Sequence, residues 1–158
     1  MPQANAFRVL WDRLRRLPAG PALFNRTIAI KIPYTGSIRA RVEQLHHGYA
    51  RVSMKDRRAL RNHLGSVHAI ALANLAEYTG NLALAYSLPD DARFIVTKLE
   101  VEYTKKARGT ITGECHAPPV PNNERCGYPL NVTLKDSSGE VVATAILQSL
   151  VGPTKRSA

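Results

Sequence analysis

The sequence predicts an α+β domain in which a six-stranded antiparallel sheet wraps one long apolar helix. Three observations predict it. Residues 68 to about 86 are dominated by Ala and Leu and are apolar nearly all round, as in a helix buried inside a domain. Six other segments alternate apolar and polar residues with a period of two, the pattern of half-buried strands. The order is helix, two strands, long helix, four strands, which sets helix apart from hairpins instead of alternating the two.

Each element has its own signal. Residues 5 to 17 place Phe7, Leu10, Trp11, Leu14 and Leu17 at helical spacing with Arg8, Arg13, Arg15 and Arg16 between them, and Pro18 and Gly20 stop the run. Such a helix can lie on a membrane or pack on its own domain, and packing is the favoured reading. Ile38, Ala40 and Val42 alternate with Arg39, Arg41 and Glu43. Ala50, Val52 and Met54 alternate with Arg51 and Ser53, and His47-Gly48 makes the turn between the two strands. Pro89 and Asp90 end the long helix. Ile95, Thr97, Leu99, Val101 and Tyr103 are assigned to one face of the third strand, and Ile111, Gly113, Cys115 and Ala117 to one face of the fourth. Leu130, Val132 and Leu134 mark the fifth. Asp136 to Gly139 turn into the sixth, with Val141, Ala143, Ala145 and Leu147 inward. The organisation is an N-terminal helix and linker over residues 1–24, a main domain over 25–151 and a frayed tail over 152–158.

Composition narrows the function classes. Of 158 residues 44% are apolar, enough for a real core, and no apolar run reaches the length of a membrane span. No secretory signal is visible, and two cysteines are too few for a disulfide scaffold, so a cytoplasmic protein with free thiols is expected. Cys115, His116 and Cys126 lack the paired spacing of a zinc site, and no metal or organic cofactor is expected. Twenty-two Lys and Arg against 12 Asp and Glu give a net charge of +10, which attracts polyanions. The charge is spread along the chain and no nucleic-acid motif accompanies it, so a nucleotide-bearing small molecule fits better than DNA or RNA.

Between Asn62 and Pro89 the only formally charged residue is Glu77, in the middle of the long helix. A carboxylate is seldom buried without a reason. Either an Arg from a neighbouring strand or a second chain pairs with it, or it is an active-site base or nucleophile. Asn74, Glu77 and Asn81 recur at spacings of three and four, one polar stripe on an apolar helix. The run before the helix, Asn62-His63-Leu64-Gly65-Ser66-Val67-His68, favours the catalytic choice. Gly65 permits a tight turn, and N–H groups near His68 and Ala69 at the helix start could hold the oxyanion of acyl transfer. Asn62 could orient water or a thioester carbonyl. His68 could cap the helix, and Ser66 is a rival cap.

Asn62-x-x-Gly65-x-x-His68, with an acid nine positions after the histidine, resembles the hotdog-fold acyl-CoA thioesterases related to the phenylacetate-pathway enzyme. With Pro33-Tyr34 and the first hairpin, residues 30 to 150 most resemble a hotdog subgroup known only as a domain of unknown function. The resemblance implies a hotdog fold, no cofactor, an acyl-CoA substrate, and a homodimer or a tetramer. It implies a catalytic set of Asn62, His68, the backbone N–H of Ala69, and Glu77. Asn81 stands where the 4-hydroxybenzoyl-CoA thioesterase branch carries a supporting hydroxyl. Ala69 and Ile70 replace two glycines usual after the histidine. Lys98, Lys105, Lys106 and Arg108 could meet coenzyme A phosphates, or could simply guard a strand edge. Two other readings stay open. One is a non-catalytic acyl or lipid-binding module. The other is a hotdog dehydratase or hydratase, disfavoured because a His-Phe-Pro-type loop is missing.

Overall fold

The computed structural model describes residues 5–154. Three helices, α1 (Ala6–Leu14), α2 (Gly20–Lys31) and α3 (Pro33–Gly36), precede the strands β1 (Arg41–His46) and β2 (Tyr49–Met54). After a 3-10 turn at Arg58–Leu60 come the long helix α4 (Ala69–Ser87) and the strands β3 (Ala92–Tyr103), β4 (Ile111–His116), β5 (Cys126–Lys135) and β6 (Val141–Pro153). The six strands form one sheet in the order β1-β2-β4-β5-β6-β3, every neighbouring pair antiparallel. α4 touches all six strands. The α+β class, the wrapped helix and the six-stranded antiparallel sheet are therefore those predicted.

The core is the inner face of the sheet against α4. Leu75, Ala76, Ala83 and Leu84 are fully buried there against Val52, Met54, Ile111, Leu130, Leu134 and Leu147. Helix and sheet meet closely where a side chain is absent: a Cβ on Gly113 would lie 2.6 Å from Thr79 Oγ1 and 3.0 Å from Leu134 Cδ2. Thr79 is itself fully buried and donates its hydroxyl to the Leu75 carbonyl at 2.7 Å. The hairpin turn at His47-Gly48 and the turn at Asp136–Gly139 form as expected, each with a glycine at positive φ.

α1 packs on the domain. Phe7 and Trp11 meet Phe24 edge-on, and Trp11 Nε1 donates to the Leu45 carbonyl at 3.0 Å. Asn5 Nδ2 donates to the Ala85 carbonyl, Tyr86 donates to Asp12, and Arg8 pairs with Asp90, so the helix is fastened to the far end of α4. Leu17 lies beyond α1 and is exposed.

Five details differ from the sequence reading. α2 and α3 occupy what reads as a linker and a proline motif, and the boundary drawn after residue 24 falls inside α2. α2 buries Phe24 and Ile28 but exposes Leu23 and Ile30, which hides its period. β1 begins at Arg41, with Ile38 buried in the turn before it. β3 carries a bulge between Val96 and Lys98 that switches faces, so Phe94 and Val96 turn inward and Ile95 outward. Val141 is likewise outward and Val142 inward. Gly152 and Pro153 are not frayed but pair with Arg93 and Ala92, while residues 155–158 of the expected tail lie outside the described residues.

Candidate active site

The loop before α4 is held by Asn62. Its Oδ1 accepts from the N–H of Leu64 at 2.9 Å, the N–H of Ser66 at 3.2 Å and the hydroxyl of Ser66 at 3.2 Å. Its backbone N–H donates to the Ser66 carbonyl at 2.8 Å. Gly65, at φ +67°, supplies the left-handed residue that closes this turn. Since Oδ1 faces into the loop, the amide orientation is fixed and Nδ2 points out of it, with no acceptor among the described residues.

His68, not Ser66, caps α4. Its Nδ1 accepts from the Ile70 N–H at 3.1 Å, while Ser66 is buried against Asn62. An imidazole nitrogen that accepts from a backbone N–H carries no proton, so the remaining proton sits on Nε2, which becomes a donor on the exposed edge of the ring. The His68 N–H is bound to the Leu60 carbonyl at 2.7 Å. Of the N–H groups near the helix start, His68 and Ile70 are thus engaged. Ala69 N–H has no acceptor among the described residues and carries the partial positive charge of the helix end.

The polar stripe of α4 separates into two sides. Asn74 is buried and donates Nδ2 to the Tyr34 carbonyl at 3.1 Å, a structural tie to α3. Glu77 is half-buried, not fully buried, and no hydrogen bond or ion pair engages it among the described residues. It shares its face with exposed Ile70 and half-buried Ala73 and Asn81, one turn apart each. Asn81 Oδ1 is buried with no hydrogen-bond partner among the described residues.

Two contributors had no signal in the sequence. Tyr103 donates its hydroxyl to the Ala69 carbonyl at 3.0 Å, bracing the first turn of α4 from the end of β3. Asp56 accepts from Arg61 at 2.7 Å and from the Gly109 N–H at 3.1 Å, and the Val67 N–H donates to the Ala107 carbonyl, so the β3–β4 connection props the Asn62 loop. Hydrogen bonding from Arg61 is the largest cause that holds the Asp56 carboxyl below its usual range. Of Lys98, Lys105, Lys106 and Arg108, Lys98 pairs with Glu100 at 2.7 Å and Lys105 with Asp136 and Glu140, while Lys106 and Arg108 have no acidic partner among the described residues. Cys115 is buried, which pushes its thiol up to about 12, and Cys126 is exposed; both are free.

Solved structures share this architecture. A crystallised genomics target matches with a TM-score of 0.82 at 28% identity, over 94% of this chain and 99% of its own. A Pseudomonas aeruginosa protein of unknown function, described as a probable thioesterase, matches at 0.75 and 26% identity, over 85% of this chain and 97% of its own. A thioesterase from Haemophilus influenzae has the same fold at a TM-score of 0.73 and 12% identity, over 84% of this chain and 90% of its own. A search of curated proteins finds no match. The wrapped helix and its sheet are those of the thioesterase-type hotdog proteins. Residues 20–151 match the family described as Domain of unknown function (DUF4442), and the chain belongs to that family.

Proposed function

We propose that this protein hydrolyses acyl-CoA thioesters at two equivalent sites in a two-fold dimer. The observation that carries the reading is the distribution of unengaged groups along α4. Two donors, Ala69 N–H and Asn62 Nδ2, stand at its start, and one unpaired carboxylate, Glu77, stands two turns on. Donors and carboxylate are the parts that acyl transfer needs. Eight residues separate Ala69 from Glu77, about 12 Å at the rise of an α-helix, so one helix cannot bring both to one carbon. A second α4 running antiparallel can. The uncovered stripe of Ile70, Ala73, Glu77 and Asn81, and the open edge of the 12-residue strand β3, are surfaces that a second copy would cover.

In this arrangement the thioester carbonyl points at Ala69 N–H and Asn62 Nδ2 of one protomer, and Glu77 of the other faces the carbonyl carbon. Glu77 takes a proton from water as its oxygen bonds to carbon, or attacks directly and yields an anhydride that water opens. Either way the C–S bond breaks and the thiolate leaves as the oxyanion collapses. The Nε2–H of His68 lies on the exposed side of the ring, a further donor for the substrate. Asn81, one turn from Glu77 on the same face of α4, can donate from Nδ2 to the Glu77 carboxylate and so position it. Lys106 and Arg108 are available to coenzyme A phosphates. The test is thiol release from a panel of acyl-CoA substrates by the wild type and by Glu77→Gln. Turnover that requires Glu77 supports the reading, and equal rates in the two proteins would remove it.

A further inference from the structure

A cavity of about 330 Å³ opens between α2, α3 and β1, and the only α4 residue on its wall is Tyr78. None of Asn62, His68, Ala69, Glu77 or Asn81 lines it. Its volume falls at the small end of ligand pockets. Ile28, Ala29 and Tyr78 give it an apolar lining, and three exposed arginines, Arg26, Arg39 and Arg41, also line it. No Asp or Glu lines it, and none of the three arginines pairs with an acid among the described residues.

Two further observations mark it as more than a gap. Arg39 adopts φ +50°, a left-handed conformation that side chains other than glycine rarely take, held by its N–H on the Gly36 carbonyl at 3.0 Å. Strain of this kind collects where a side chain must be aimed. Tyr78 is 7% exposed as a whole residue, yet its hydroxyl oxygen is not among the enclosed polar atoms and no hydrogen bond engages it among the described residues, so it stays reachable from the cavity. A free hydroxyl on a cavity wall can donate to an acceptor bound there.

We propose that this cavity binds a small amphiphile: an oxyanion head, carboxylate or phosphate monoester, held by Arg26, Arg39, Arg41 and the Tyr78 hydroxyl, with an apolar body against Ile28 and Ala29. Planar guanidinium forks match both oxyanions, and an uncharged head would leave them unpaired. The occupant touches the turn of α4 that carries Glu77, yet the inference does not rest on thioester hydrolysis.

Calorimetric titration of the full chain with decanoate, decyl phosphate and decanol, each below its micelle concentration, tests it. One saturable site per chain is expected for an anionic probe, with decanol weaker by at least about tenfold. The tighter anion identifies the natural head. Arg39→Gln with Arg41→Gln should weaken the anion by at least about tenfold, and Tyr78→Phe severalfold. Ala22→Phe, at an exposed position on the cavity wall, should block it without disturbing the core. Arg26→Gln serves if the double variant does not fold. Glu77→Gln should bind the probes as the wild type does, which separates this result from failure of the thioester reading. No saturable anion binding, decanol as tight as the anions, or affinity unchanged in Ala22→Phe would each overturn the proposal.

Discussion

Asn62 has two ends with separate duties. Oδ1 holds the loop through three hydrogen bonds, while Nδ2 has no acceptor among the described residues and is the donor in the proposed reaction. Asn62→Asp keeps the acceptor and removes the donor. Its melting temperature should stay near that of the wild type while kcat for acyl-CoA falls by about 100-fold or more, the usual loss for one oxyanion donor. An equal fall in both would make Asn62 purely structural. His68→Ala removes the ring that caps Ile70 N–H and should cost about 1 kcal/mol, or a few degrees in Tm. Much of this residue-scale chemistry was legible. A lone carboxylate in 27 uncharged neighbours needs no structure to be noticed, and neither does an Asn-Gly-His run before a helix. The direction each side chain faces was not legible: Asn74 shares the spacing of Glu77 and Asn81, yet α3 takes it away, because a spacing of three on a helix spans 300° and α3 packs in the remainder.

At the scale of elements, close packing of α4 on β4 depends on what Gly113 lacks. Gly113→Ala should destabilise the fold by about 1–3 kcal/mol, since its methyl would meet Thr79 Oγ1 and Leu134. Thr79→Ala in the same chain vacates that space, so the double variant should be more stable than additivity of the single changes allows, by urea denaturation of all four proteins. The brace behind the Asn62 loop responds to pH. The folded Asp56 carboxyl titrates below its ordinary value near 3.8, chiefly through Arg61. The folded form therefore gains stability from Asp56 above that value and loses it as pH falls through the lower folded value. Asp56→Asn should remove this part of the acid dependence and lower stability at neutral pH, read from melting curves between about pH 2 and 7. None of this brace was legible, because Asp56 and Arg61 close an irregular turn with no periodic signal and meet Ala107 and Gly109 only in the folded chain. Strand existence was legible from alternation, but faces were not wherever a bulge adds one residue, as at Val96–Lys98, and α2 was missed because apolar residues on both its sides erase the period.

For the whole molecule, the proposed reaction needs groups that one chain holds too far apart to use alone. The donors sit at the start of α4 and the carboxylate about 12 Å along it. In the proposed two-fold dimer the start of one helix would lie beside the middle of the other, and each site would take Asn62, His68 and Ala69 from one chain and Glu77 from its partner. Complementation tests this directly. Asn62→Asp and Glu77→Gln should each be nearly inactive. When the two are unfolded, mixed in equal amounts and refolded, half of the dimers are mixed. Each mixed dimer has one intact site and one site carrying both changes. Activity should return to roughly a quarter of wild type. Asn62→Asp suits this experiment better than removal of the side chain, since it leaves the loop bonded and lets the mixed dimer assemble. Mixed dimers shown to form by differential tagging, but as inactive as their parents, would mean that each site is built within one chain, and the antiparallel pairing of α4 would have to be abandoned.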